Sequence, residues 1–88
     1  APQDAVMALG PSRDEISNTE LARRACVKAD TCAKAIKTSL RRAGAAAPKG
    51  DSSGLMWTRT MLETSLPNLK STTNQMALAR AIRAWLSG

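Results

Sequence analysis

The segment from Ile16 to Val27 has the sequence ISNTELARRACV and contains the signals on which the predicted fold depends. Thr19 is placed as the N-cap of a helix, and Glu20 follows in the first turn, where an acidic side chain complements the helix dipole. The pattern therefore predicts a short helix that ends near Ala25. A very short strand around Ile16 is expected before this helix, and a turn after it.

A second, longer helix is predicted from Thr31 to Ala43. Asp30 or Thr31 is placed as its N-cap, and Gly44 lies where a C′ glycine ends a helix. Its apolar residues recur at helical spacing and predict one buried stripe, formed by Cys32, Ile36, Leu40 and Ala43. The opposite side carries basic and hydroxyl residues, namely Lys34, Lys37, Thr38 and Arg41. The helix is therefore predicted to be amphipathic, with a basic outer side.

The segments that flank these two helices are divided by glycine and proline. Residues 5–9 are predicted to form a short N-terminal helix, which the following Gly-Pro pair ends. Residues 45–48 and 55–61 are predicted to form a hairpin around a polar, glycine-bearing loop, residues 49–54. Trp57, in the second arm, is expected to pack in the core or at the base of this hairpin.

The C-terminal part of the chain is predicted to end in a helix that runs to Leu86. Pro67 is expected to stop any helix that reaches it, because it lacks a backbone N–H and clashes with the preceding turn. The new helix then begins at one of three hydroxyl residues, Ser71, Thr72 or Thr73.

The composition describes one small basic domain of 88 residues, with 13 Lys and Arg against 7 Asp and Glu, a net charge of +6. The absence of His excludes catalytic pairs and metal sites that depend on imidazole. The absence of Phe and Tyr argues against RNA modules that stack bases on those rings. The carboxylates are scattered, so no enzyme activity, metal or other cofactor is expected. A basic domain of this kind most often binds phosphate.

Two cysteines, Cys26 and Cys32, are too few for a disulfide scaffold or for a zinc site without other ligands. Both are predicted to be small buried apolar residues. The alternatives are a disulfide or redox switch between them, or a small secreted helical protein that this disulfide holds together. No apolar run approaches the length of a membrane span, and the first residues do not have the features of a signal peptide. A cytoplasmic or nucleoid-associated location is therefore expected.

The order of these elements resembles the winged helix-turn-helix superfamily. Ala22 matches the small residue at its helix crossing, Val27 matches the apolar residue of its turn, and the run from Arg41 to Gly44 resembles the residues that precede its wing. The resemblance covers residues 4–61. Cys26 departs from it, because the family usually has Gly at that position of the turn. The stretch from the turn to Gly44 is also about one residue longer than the commonest pattern of the family.

The resemblance implies a fold that is mainly α-helical with a small β-hairpin, a winged helix-turn-helix plus an additional C-terminal helix. Residues 1–66 would form the winged helix-turn-helix domain. Residues 67–88 would pack on it or form the seam of a homodimer, through Met76, Leu78, Ile82, Trp85 and Leu86. The wing sequence GLMW, residues 54–57, is also similar to the wing of Z-nucleic-acid-binding winged helices, although their Tyr and their Pro pair are absent here.

The function that the resemblance implies is non-catalytic binding of double-stranded DNA, with the second helix in the major groove. The expected DNA-binding residues are Lys28, Thr31, Lys34, Lys37, Thr38, Arg41, Lys49 and Arg59. Regulation of transcription is the expected role. DNA anchoring in replication, partition or transposition is one alternative, and a helical protein–protein adaptor with a basic face is another.

Overall fold

The structure, a computed structural model, describes residues 14–88 of the chain. Its elements follow in the order β1 (Glu15–Ser17), α1 (Asn18–Ala25), α2 (Ala29–Arg42), β2 (Met56–Thr58), α3 (Arg59–Ser65), a 3-10 helix (Leu66–Asn68) and α4 (Thr73–Ser87). The predicted fold class is confirmed, since this part of the chain is mainly helical with a small antiparallel sheet and an additional C-terminal helix. The helix predicted over residues 5–9 lies outside the described residues.

The two strands are antiparallel, and their register pairs Glu15 with Thr58 and Ile16 with Trp57. The predicted pairing of residues 45–48 with residues 55–61 is therefore wrong, because β2 pairs with β1. The pairing with β1 places two buried apolar side chains, Ile16 and Trp57, opposite each other. Residues 45–48 offer only small side chains and end in a proline that cannot donate to a strand ladder.

The predicted second strand also ends earlier than expected, at Thr58. The Thr58 hydroxyl accepts a hydrogen bond from the Met61 backbone N–H at 3.2 Å and so caps α3, which begins at Arg59. A capping hydroxyl at this position converts the chain from strand to helix. The expectation for Pro67 is confirmed, because α3 ends at Ser65 and the proline lies in the 3-10 helix.

The starts of α1 and α2 differ from the prediction. Ser17, and not Thr19, is the N-cap of α1, since its hydroxyl accepts from the Glu20 backbone N–H at 3.1 Å. Lys28, and not Asp30 or Thr31, is the N-cap of α2, and no side-chain hydrogen bond caps this helix. The Asp30 carboxylate instead accepts a hydrogen bond from the Ser52 hydroxyl.

Backbone geometry at two positions defines the turn before α2 and the end of α2. Cys26 has φ 57° and ψ 39°, and it is the one residue other than glycine with positive φ in residues 14–88. A side chain in this left-handed conformation costs roughly 1–2 kcal/mol relative to glycine. Gly44, with φ 77°, ends α2 as predicted, and the Ala45 N–H donates to the Leu40 carbonyl.

The core lies where α1, α2 and α4 pack together, and β2 and α3 contribute Trp57 and Leu62 to it. Trp57 has no exposed surface, which confirms that it packs in the core. Cys32, Ile36 and Leu40 of the predicted α2 stripe are buried, but Ala43 is exposed because α2 ends at Arg42.

The helix α4 packs against α1, which is one of the two arrangements predicted for residues 67–88, and the homodimer stays a prediction. Leu78 and Ile82 are fully buried within the chain, so these two side chains of the predicted seam are not exposed to a second copy. Trp85 and Leu86 are half-buried against the same core, and Met76 remains 48% exposed. The apolar stripe of α4 is therefore mostly used inside the chain.

Candidate nucleic-acid interface

The outer side of α2 carries Lys34 at its centre, with one row of residues on each side. At 3.6 residues per turn, Thr38 and Arg42 lie on one side of Lys34, and Lys37 and Arg41 lie on the other. Each row faces an open groove, and Lys34 lines both grooves. One groove faces the loop that precedes β2, and the other faces the segment that precedes α4.

The loop-side groove has a volume of about 310 Å³ and mixed charge. It is lined by Asp30, Ala33, Lys34, Lys37, Arg41, Gly50, Asp51 and Ser52. Lys37 is already engaged here, because its Nζ donates to the Gly50 carbonyl at 2.8 Å. The Ser53 hydroxyl and backbone N–H hydrogen-bond to the Asp51 carboxylate and lower its pKa. The groove therefore contains two carboxylates among its cations.

The loop beside this groove is held in place by a fully buried amide, Asn18. Its Nδ2 donates to the Ala29 carbonyl at 2.9 Å and to the Ser52 carbonyl at 3.1 Å, and its Oδ1 accepts from the Trp57 indole at 3.0 Å. One side chain thus links the start of α2, the loop and β2. The Ser52 hydroxyl adds a fourth link, to the Asp30 carboxylate at 2.5 Å.

The α4-side groove has a volume of about 340 Å³ and no carboxylate in its lining. It is lined by Thr31, Lys34, Ala35, Thr38, Arg42, Lys70, Thr72, Asn74 and Gln75. Within residues 14–88, the side chains of Lys34, Arg42 and Lys70 make no hydrogen bond or ion pair. This groove therefore combines three unneutralised cations with hydroxyl and amide groups.

The cations of α1 are arranged differently from those of α2. Glu20 accepts from Arg23 at 2.5 Å and from Arg24 at 2.9 Å. These two hydrogen-bonded guanidinium groups lower the pKa of Glu20 from 4.5 to about 2. The carboxylate is therefore ionised at neutral pH, and it offsets part of the positive charge of α1.

The structure brings most of the predicted DNA-binding residues to one surface. Thr31, Lys34, Lys37, Thr38 and Arg41 lie on the outer side of α2, and Lys28 is exposed at its N-cap. Lys49 is exposed in the loop before Gly50.

Arg59 does not join this surface. It begins α3 rather than lying on a strand, its guanidinium donates to the Leu86 carbonyl, and it packs over the Trp85 ring at 5.4 Å from the centroid. A cation at the carbonyl end of α4 also complements the dipole of that helix. Arg59 therefore ties α3 to α4.

Two residues of this surface, Arg42 and Lys70, are absent from the predicted set, as is the buried Asn18, which holds the adjoining loop. Arg42 follows Thr38 by one helical turn, so the same periodicity that selected Thr38 would have found it. Lys70 lies in an irregular segment, and Asn18 acts through partners far along the chain. No local sequence pattern indicates either of them.

The two thiols are free and lie in different environments. Cys32 is buried, as predicted, and burial raises the pKa of its thiol to about 12. Cys26 is exposed, so the prediction that it is buried is wrong. Its left-handed backbone lies in the turn between α1 and α2, outside the packed face of either helix. The disulfide alternative is not formed in this structure.

Comparison with protein-family models, curated proteins and solved structures found no match to this chain. The geometry of the described residues is therefore the basis for any functional proposal. In residues 14–88, no group of three or more His, Cys, Asp or Glu side chains is arranged to hold a metal ion. No helix in the same range is long and apolar enough to cross a bilayer.

Proposed function

We propose that this chain is a non-catalytic module that binds double-stranded DNA and inserts α2 into the major groove. The observation that carries the proposal is the outer side of α2, where Lys34, Arg41 and Arg42 have no ion-pair partner within residues 14–88. Cations left without carboxylate partners on one helix face are suited to the dense negative charge of a phosphate backbone.

The dimensions of α2 support this mode of binding. Its 14 residues correspond to a length of about 21 Å at 1.5 Å per residue. A helix enters the major groove, which is about 12 Å wide, and its outward side chains reach base edges and flanking phosphates. Lys34 is suited to a guanine O6 and N7, and Thr38 to a hydrogen bond with a base or a phosphate.

The arrangement around α2 is also compatible with a winged helix-turn-helix. A capped α1, a turn at Cys26 and a longer α2 follow one another, and the loop before β2 lies against one side of α2. That loop carries the exposed Lys49 and would act as the wing, in contact with the backbone or the minor groove. Regulation of transcription in the cytoplasm or nucleoid is the role we assign, and DNA anchoring in replication, partition or transposition would use the same surface.

A fluorescently labelled duplex of random sequence tests the proposal by anisotropy titration over a range of salt concentrations. We expect binding at low salt that weakens steeply as salt rises, and weaker binding by Lys34→Ala. Arg83→Ala is the matched control, because it removes one exposed cation from α4 outside both grooves. Circular dichroism verifies that both variants fold. Absence of duplex binding at low salt by the folded wild-type chain would refute the proposal.

The loop-side groove favours a second candidate, a protein–protein adaptor, because Asp30 and Asp51 lie there among the cations. Mixed charge of this kind suits a protein partner that carries both signs, whereas phosphate is repelled by carboxylates. The candidates differ in one measurement. An adaptor predicts that Lys34→Ala and Arg83→Ala change duplex binding equally, whereas a DNA module predicts a larger effect for Lys34→Ala.

A further inference from the structure

We infer that the α4-side groove is a phosphate-binding surface that takes the backbone of one DNA strand beside α2, with Arg42 and Lys70 as its contacts. This inference rests on the proposed function and adds to it the side of α2 on which the backbone lies. Neither residue belongs to the set that sequence analysis predicts. They approach the same groove from different elements, Arg42 from the last turn of α2 and Lys70 from the segment before α4.

The chemistry of the lining is that of an anion site. Lys34, Arg42 and Lys70 supply positive charge, and Thr31 and Thr38 add hydroxyl donors. No Asp or Glu lines the groove, in contrast to the loop-side groove with its Asp30 and Asp51. A phosphate diester would therefore meet three cations and no carboxylate in the α4-side groove, and repulsive carboxylates in the loop-side groove.

Contacts on both sides of Lys70 hold its segment across from Arg42. Before Lys70, the 3-10 helix packs against α2, where the Asn68 carbonyl lies 3.3 Å from the Ser39 hydroxyl, which also has the Ala35 carbonyl as an acceptor at 2.8 Å. Beyond Lys70, the Gln75 side chain accepts from the Lys70 backbone N–H at 2.7 Å, while the Gln75 N–H donates to the Thr72 hydroxyl at 3.3 Å. This arrangement resembles a capping box and fixes the start of α4.

The position of the groove matches the geometry of the proposed complex. When a helix lies in the major groove, the phosphates of the two strands pass along its flanks, and contacts to them fix the register of the protein. Lys34 lines both grooves at the centre of α2, so a duplex that meets Lys34 brings a backbone to each flank. The flank without carboxylates is the one suited to close contacts with phosphate.

The test compares the double variant Arg42→Ala/Lys70→Ala with the control Arg80→Ala/Arg83→Ala, which also removes two exposed cations but lies outside both grooves. Duplex affinity is measured between 50 and 200 mM salt. Each neutralised phosphate contributes about −0.9 to the slope of log K against log salt, so losing two contacts reduces the slope by about 1.8. Between 50 and 200 mM salt, the factor by which affinity falls should therefore be about 12 times smaller for the groove variant than for the wild type.

The loss should be similar for duplexes of different sequence, because phosphates carry no sequence information. Equal salt slopes for the groove variant and the control, with Lys34→Ala still weakening binding, would overturn the inference and leave the proposed function intact. If the wild-type chain binds no duplex at all, both fail. Thermal melting by circular dichroism establishes that each variant folds. If the double variant does not fold, the salt slope is measured on the single variant Lys70→Ala, whose substitution lies in an exposed irregular segment.

A second arm distinguishes backbone phosphate from free phosphate. Inorganic phosphate and the duplex are titrated separately into ¹⁵N-labelled protein, and the amide shifts of Lys70, Thr72 and Gln75 are followed. We expect the duplex to shift these amides at micromolar concentration and inorganic phosphate to shift them only weakly. Saturation by inorganic phosphate with no response to the duplex would overturn the inference in favour of a small-anion site.

Discussion

The two sides of α2 carry similar numbers of cations but use them differently. On the loop side, Lys37 donates a hydrogen bond to the Gly50 carbonyl, and Asp30 and Asp51 lie among the positive charges. On the α4 side, Arg42 and Lys70 have no ion-pair partner within residues 14–88. A count of basic residues therefore does not define a binding surface, because the partners already present determine which charges remain to attract a ligand.

We expect the largest effect, a loss in the free energy of unfolding, from removing the Asn18 side chain, which holds the loop beside the loop-side groove. Asn18→Ala leaves the Trp57 indole and the Ala29 and Ser52 carbonyls without their partner. Since each unsatisfied buried polar group costs about 1–3 kcal/mol, we expect urea denaturation to give a loss of at least about 2 kcal/mol in the free energy of unfolding. Asn74→Ala, at an exposed position in the first turn of α4, is the control. A loss for Asn18→Ala no larger than that of the control would contradict the linking role.

A smaller effect on the free energy of unfolding is expected for Lys37, which is hydrogen-bonded to the loop, than for Asn18. Lys34, which makes no such bond, is the comparison. Lys37→Met removes the hydrogen bond to the Gly50 carbonyl, whereas Lys34→Met removes no hydrogen bond within residues 14–88. We expect Lys37→Met to lower the free energy of unfolding by about 0.5–1.5 kcal/mol and Lys34→Met to change it by less than about 0.5 kcal/mol. The same urea melts measure both. Equal losses would mean that Lys37 does not anchor the loop.

The turn before α2 and the buried side of α2 should also differ in thiol reactivity. Cys26 is exposed at the turn, while Cys32 is buried and its pKa is raised to about 12. Because the thiolate is the nucleophile, we expect one thiol per chain to react with a disulfide reagent at pH 8, and the second to react only after denaturation. Cys26→Ser should abolish the fast reaction. Two fast thiols in the wild-type chain would contradict the burial of Cys32.

The smallest effect concerns the ion pairs of α1 and is measured as the pKa of Glu20. The folded pKa of Glu20 is about 2, below its ordinary value of 4.5, because Arg23 and Arg24 stabilise the carboxylate. The stabilisation is therefore complete above about pH 4.5 and is lost as the pH falls through about 2. Carbon-detected NMR should give a Glu20 midpoint near pH 2, and Arg23→Ala/Arg24→Ala should return it towards 4.5. An unchanged midpoint in that variant would show that the arginines do not cause the shift.

Local sequence signals predicted the elements whose boundaries depend on one or two residues. Gly44 ends α2, Pro67 lies beyond the end of α3, and Thr72 caps α4, because glycine, proline and hydroxyl residues constrain the backbone where they stand. The pairing of β2 was not predictable in this way. Its partner, β1, is far away in the chain, and only packing of Ile16 against Trp57 selects it.

The residues of the candidate surface can likewise be divided into those that local sequence predicts and those that depend on contacts made by folding. Lys34 and Arg41 follow from helical periodicity, since both lie on the side of α2 opposite the buried Ile36. Lys70 and Asn18 do not, because the first lies in an irregular segment and the second acts through contacts that folding creates. The sequence predicts Arg59 on the second strand of the hairpin and hence in the DNA-binding set, whereas its contact with Trp85 depends on how α3 and α4 pack.

Amide shift mapping of a random-sequence duplex onto ¹⁵N-labelled protein is the decisive experiment on whether α2 faces DNA, because it locates the bound face without any substitution. We predict the largest shifts on α2 around Lys34 and Thr38 and in the segment from Lys70 to Gln75, with little change around Arg23 and Arg24 on α1. Shifts that cluster on α1 or around Arg80 and Arg83, with α2 unaffected, would contradict it.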